Sequence, residues 1–171
     1  MNHQAHNQAQ RFIAFGLATT FAFSTLPPAF SQPVPTVDTS VVNTTNTSST
    51  VQGGTYYNTP GGQTSFINPN SLTVPKNATV RGLEVQSAGG PLTNNGGNFL
   101  FRAPLIINNG VIDNSAILGS SGRGGSINFQ SKYVYNRGSI FANGASGGMI
   151  QIQTGSLVAA PGSQMTATGW N

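Results

Sequence analysis

The chain has 171 residues; seven are Lys or Arg, three are Asp or Glu, 22 are Gly and none is Cys. Without Cys, a disulfide framework and a Cys-ligated metal are excluded, and the scarcity of Lys and Glu argues against helical bundles and coiled coils. The formal charge of +4 rests on scattered basic residues rather than a cluster able to neutralise a row of phosphates, so no nucleic-acid partner is expected.

In chain order, residues 1–31 have the layout of a secretory signal peptide. A basic start ending at Arg11 leads into the apolar stretch Phe12 to Leu26, a break at Pro27-Pro28, and small residues at Ala29 and Ser31. Cleavage is expected between Ser31 and Gln32. The apolar stretch is shorter than the about 20 residues of a spanning helix and is interrupted by Thr and Ser. Both histidines, His3 and His6, fall in this leader. The remainder therefore carries no His and no Cys, with Asp38, Glu84 and Asp113 as its carboxylates. Serine-triad, Cys-His and His-ligated zinc chemistry are excluded from it.

Residues 32–60 form a low-complexity Pro/Thr/Ser/Asn stretch, expected to be a flexible linker because it offers little apolar surface of its own. Its Asn43-Thr44-Thr45 and Asn46-Thr47-Ser48 triplets, like Asn77-Ala78-Thr79, match the N-glycosylation pattern, but a chain this rich in Asn and Thr produces such matches by chance. From residue 61 to 171 short alternating runs replace it. Thr64 to Asn68, Ser71 to Val74 and Ala78 to Gln86 are predicted strands, with turns at Pro69-Asn70 and Pro75-Lys76-Asn77.

An internal repeat follows. Residues 96–114 and 124–142 align without a gap at an offset of 28, pairing Gly97/Gly125, Phe99/Ile127, Phe101/Phe129, Asn108/Asn136, Gly110/Gly138 and Ile112/Ile140. A third copy starts at Gly147-Gly148, with Ile150 and Ile152 in the places of Ile127 and Phe129, and Gly162 near that of Gly138. The physical reading is a stack of parallel coils, each unable to bury its apolar residues alone. Phe99, Phe101, Ile112, Ile127, Phe129, Ile140, Ile150 and Ile152 form the expected repeat core. Gly97, Gly110, Gly125, Gly138, Gly148 and Gly162 form its expected turns, assigned to sharp bends at positive φ. Neutral polar residues such as Ser126, Asn128 and Gln130 would stack on the outside, where a column of like charges would repel. The expected fold is all-β, a parallel β-helix of about three to four coils, with a β-sandwich as the alternative.

The units Gly147-Gly148-Met149-Ile150-Gln151-Ile152 and Gly138-Ser139-Ile140-Phe141-Ala142-Asn143-Gly144 resemble those of haemagglutinin-like adhesins exported by two-partner secretion in Gram-negative bacteria. Asn68-Pro69-Asn70 is similar to turns of that family's secretion domain. The resemblance covers about residues 96–170 and, more loosely, 64–95. It implies a right-handed β-helix, export through an outer-membrane transporter barrel and a place at the cell surface or in the secreted fraction. Members of that family are longer, so the chain is read as a short or truncated member.

The expected function is therefore an exported structural or adhesin-like protein that is not an enzyme and needs no cofactor or metal. Open coil edges would favour self-association. The competing reading is a glycan- or partner-binding module using Tyr56, Tyr57, Tyr133, Tyr135 and Trp170. A polysaccharide hydrolase or lyase would rest on Glu84 and Asp113, but each has a simpler role beside a strand or turn.

Overall fold

The computed structural model describes residues 42–170. The expected leader, its Ser31–Gln32 cleavage point and the beginning of the linker lie outside the described residues. The described region is all-β, with thirteen strands and no helix. In chain order these are β1 (Thr45–Asn46), β2 (Gly54–Asn58), β3 (Thr64–Ile67), β4 (Ser71–Val74) and β5 (Thr79–Val85). Next come β6 (Leu92–Gly96), β7 (Asn98–Arg102), β8 (Leu105–Asn108) and β9 (Val111–Asp113). The last four are β10 (Ser126–Asn136), β11 (Ser139–Phe141), β12 (Met149–Ala159) and β13 (Gln164–Thr166).

The chain stacks on itself in five successive passes. The first holds β1 and β2, the second β3 to β5, the third β7 to β9, the fourth β10 and β11, and the fifth β12 and β13. Neighbouring passes pair in parallel, and among the described residues only the β5–β6 hairpin is antiparallel. The crossover between two paired strands is thus the remainder of one pass, which is how a parallel pair is connected without a helix.

The pairing register follows the sequence repeat. Phe99 lies opposite Ile127, Phe101 opposite Phe129, Ile106 opposite Val134, and Ile112 opposite Ile140. Ile127 and Phe129 in turn face Ile150 and Ile152. Strands in adjacent passes are about 4.8 Å apart, so a ring repeated at one register position must stack on its copy. Phe66, Phe101 and Phe129 do so, with centroids 4.8 and 5.1 Å apart and ring planes within 16° and 15°. Phe99 meets Phe66 and Phe101 edge-on, at 5.6 and 5.9 Å.

The strand pattern explains how one long strand serves two faces. In β10, Ile127 and Phe129 are buried, then Val134 and Asn136, so the in–out alternation slips at Ser131-Lys132 and the strand turns a corner. Its first half pairs with β7 and its second with β8, which are separate strands in the pass before.

At the next corner a buried Asn does the work of a turn. The Asn108 side chain accepts from the Gly110 N–H at 3.2 Å and donates to Asn136 Oδ1 at 2.8 Å. Both Asn residues are fully buried, and each amide is satisfied by the neighbouring pass or by the turn it closes, as buried polar groups require. Asn136 continues the series by donating to the Gln164 carbonyl at 3.4 Å.

Four sequence expectations change. The linker ends earlier than residue 60: Val51 is fully buried, and β2 pairs along β5 from Gly54 to Asn58. That stretch lacks a core of its own, but it stacks on a ready surface and exchanges backbone bonds with it. The N–H of Ser65 reaches the Thr44 carbonyl at 2.8 Å, and the N–H of Val51 reaches that of Thr73 at 2.9 Å. The passes accordingly number five rather than three to four. The turn glycines, apart from Gly162 at φ 83°, do not take positive φ. Their reason is close approach: a Cβ on Gly138 would strike the Gly110 carbonyl, one on Gly125 the Gly97 carbonyl, and one on Gly148 the Gly125 carbonyl. Gly97 and Gly110 are hemmed in likewise, by the Asn58 side chain and the Pro75 carbonyl. Finally, Ile150 and Ile152 are half-buried, because no described pass lies beyond β12.

Truncating the stacked ring, Phe101→Ala, is expected to cost about 3–5 kcal/mol, since the flanking rings cannot close the gap without breaking strand spacing. Gly138→Ala, adding one methyl against backbone, is expected to cost about 1–3 kcal/mol or more. Urea unfolding followed by circular dichroism checks both, and a cost under 1 kcal/mol for either contradicts the tight stack.

Candidate functional site

The two described carboxylates are held by structural partners. Arg81 and Asp113 face one another across β5 and β9, and the Arg81 Nη1 donates to Asp113 Oδ2 at 2.6 Å. The second Asp113 oxygen accepts from the Ser115 N–H at 2.9 Å, closing the turn after β9. Glu84 Oε1 accepts from the Asn95 amide at 2.9 Å and the Thr93 hydroxyl at 3.2 Å, tying β5 to β6. Glu84 also lines a polar cleft of about 430 Å³ with Arg123, Asn95 and the Gly124-Gly125 and Gly147-Gly148 corners. Asp113 does not line it, so the cleft lacks the paired carboxylates that glycosidic cleavage ordinarily uses. Among the described residues no three His, Cys, Asp or Glu side chains gather.

The five candidate aromatics do not form one site. Tyr56 is packed edge-on against Phe66 and Phe99, at 5.2 and 6.0 Å, and its hydroxyl donates to the Gln52 carbonyl at 2.9 Å. It belongs to the first pass rather than to a solvated linker. Tyr57 is half-buried beside Leu83. Trp170 is half-buried, and its indole N–H donates to the Ser120 carbonyl at 3.3 Å.

Tyr133 and Tyr135 are different. They flank the buried Val134 on β10, so alternation turns both outward, where they are 42% and 38% exposed. Register then surrounds them with apolar neighbours: Leu105 beside Tyr133, and Ile107 and Val158 on either side of Tyr135. The Lys132 ammonium sits 5.2 Å from the Tyr133 ring centroid, a cation–π distance. Lys132 also lines a groove of about 570 Å³ together with Ile67, Pro69, Arg102 and Pro104. The result is an exposed aromatic and aliphatic face next to a mostly apolar groove that Arg102 and Lys132 also line.

Sequence reasoning found the two tyrosines but missed Leu105, Ile107, Arg102 and Lys132 around them. The alternation about Ile106 and Val134 was the available signal for the first two. The two cations come together only through the register of β7 with β10, which sets Arg102 opposite Gln130, two residues before Lys132.

Comparisons with protein-family models, with curated proteins and with solved structures gave no match.

Burial raises the Tyr56 hydroxyl above its ordinary value of 10.0. A pKa raised in the folded state leaves stability intact below the unfolded value and removes it as pH climbs through the folded value. Thermal melts from about pH 9 to pH 11.5 should therefore fall on the alkaline side, and Tyr56→Phe should flatten that fall. An unchanged slope in the variant would assign the alkaline loss elsewhere.

Proposed function

We propose that the stacked passes form a right-handed parallel β-helix serving as an exported, surface-exposed shaft of the adhesin type, without catalytic activity. The supporting observation is the stack itself: five passes in register whose columns repeat Phe on Phe and Asn on Asn. Such a column adds length by repetition, since each pass presents the edge that the next one needs. The signal-like residues 1–31 and the Gly-Gly-x-Ile-x-Ile units support export through an outer-membrane transporter barrel of the two-partner type. Glu84 and Asp113, engaged by Asn95, Thr93 and Arg81, support a structural rather than an acid–base role for the carboxylates.

Expression of the full chain in a Gram-negative host, with and without a cognate transporter, tests the reading. Expected are a mature N-terminus at Gln32 and digestion by protease added outside intact cells when the transporter is present. An uncleaved chain retained in the cytosol in both strains refutes it.

A second reading, a glycan- or partner-binding module, is favoured by one observation: Tyr133 and Tyr135 share an exposed outer face with Lys132 over one ring. The apolar C–H face of a sugar ring can pack on exposed aromatic faces of this kind. On a glycan array, Tyr133→Ala should lose about tenfold or more of any signal, whereas Tyr57→Ala should leave it in place.

A further inference from the structure

Two segments depart from the repeat, and they meet. One is the hairpin in which β6 turns back antiparallel on β5. The other is 115–123, between β9 and β10, which is longer than its counterpart 143–146 between β11 and β12. The Ile117 N–H donates to the Asn94 carbonyl at 3.0 Å, and the Gly96 N–H to the Arg123 carbonyl at 2.9 Å. The Arg123 N–H donates to Asn95 Oδ1 at 2.9 Å. Tied together in this way, the two segments bring Asn95 and Arg123 to the polar cleft of about 430 Å³ that Glu84 also lines. The lining reaches from Glu84 in the second pass through Asn98 and Ser126 to Met149 in the fifth, so the cleft runs along the side of the stack and not across its end. Its volume is in the range of small-molecule sites, and insertions into stacked repeats often mark the binding face.

The cleft holds one acid and one base, each with hydrogen-bonding capacity left over. Glu84 is half-buried, and its Oε1 accepts from Thr93 and Asn95, while no group among the described residues donates to Oε2. The Arg123 backbone is held by Asn95 and Gly96, but its exposed guanidinium has no hydrogen-bond partner among the described residues. The ion pair among those residues joins Arg81 to Asp113, so Glu84 and Arg123 do not neutralise each other. The rest of the lining is Asn, Ser and Gly, with Met149 as its one apolar side chain. A ligand of single charge is repelled by one of the two ionic groups, and an uncharged ligand leaves both without a counterion. A zwitterion satisfies both: an ammonium donates to Glu84 Oε2, and a carboxylate takes the planar fork of Arg123.

We propose that this cleft binds a zwitterion of dipeptide size, with its ammonium at Glu84 and its carboxylate at Arg123. The absence of an aromatic ring from the lining fits a ligand held by its charged ends. The cleft shares no residue with the Tyr133 and Tyr135 face, and the inference does not depend on export or on the shaft.

Titration of the full chain with L-alanyl-L-alanine, followed by NMR of the backbone amides, tests it. Saturable shifts are expected at Gly124, Gly125, Gly147 and Gly148, with a dissociation constant of about 1 mM. N-acetyl-L-alanyl-L-alanine lacks the ammonium and L-alanyl-L-alaninamide lacks the carboxylate; each should bind about tenfold or more weakly. Glu84→Gln and Arg123→Gln should weaken the unblocked dipeptide by the same factor. The first keeps an oxygen for Asn95 and Thr93, the second alters an exposed side chain, and either suffices if the other does not fold. Tyr133→Ala should bind as the wild type does. A titration with no saturable shift up to about 20 mM, well above the expected constant, overturns the proposal. So do blocked dipeptides that bind equally well, binding that survives both substitutions, or maltose, an uncharged polyol, binding more tightly than the dipeptide.

Discussion

Parallel backbone pairing between successive passes is the constraint on which the rest of the molecule depends. It places equivalent residues directly above one another at strand spacing, so whatever occupies one register position must tolerate a near copy of itself. Phenylalanine does: the Phe66, Phe101 and Phe129 rings stack nearly flat down one column. Asparagine does as well, since an amide carries both donor and acceptor, and Asn108 hands a hydrogen to Asn136 at 2.8 Å. Charged residues meet the same test poorly. The ion pair found in the stack joins unlike residues, Arg81 and Asp113, at one register position, where two like charges would repel.

The same spacing decides the corners. Where the chain leaves one face for the next, the backbone of one pass lies against that of another. Gly125 faces the Gly97 carbonyl and Gly138 the Gly110 carbonyl so closely that no side chain fits between. Glycine is therefore required by the neighbouring pass rather than by its own dihedral angles. Packing this close limits variation inside the stack and leaves the outer faces to differ. On one of them, Tyr133 and Tyr135 stand out beside Leu105, Ile107 and Val158 without disturbing the buried Ile106 and Val134 between them.

Much of this was legible because the repeat is ungapped where it is clearest. The offset of 28 between Phe101 and Phe129, and between Asn108 and Asn136, is the strand register itself. The second pass was harder to read. Phe66 pairs with Phe101 at an offset of 35, because the hairpin of β5 and β6 adds residues between them and breaks the regular spacing. The first pass was misread for another reason. Judged on its own apolar content, the Thr/Ser-rich stretch cannot offset its ordering entropy, yet Val51 and Tyr56 find their partners on strands already formed.

The sequence by itself determined the all-β character, the residues that share a column from Phe99 to Ile152, and the poverty of ionisable chemistry. Each is a local or periodic property, and periodicity survives in one dimension. Only the tertiary structure decided that residues 42–58 join the stack, that the corner glycines answer to carbonyls one pass away, and that Tyr56 is inside while Tyr133 and Tyr135 are out. Those outcomes depend on contacts across 20 to 35 residues whose spacing changes from pass to pass, and a side chain's environment in such a stack is set by the neighbouring passes as much as by its own.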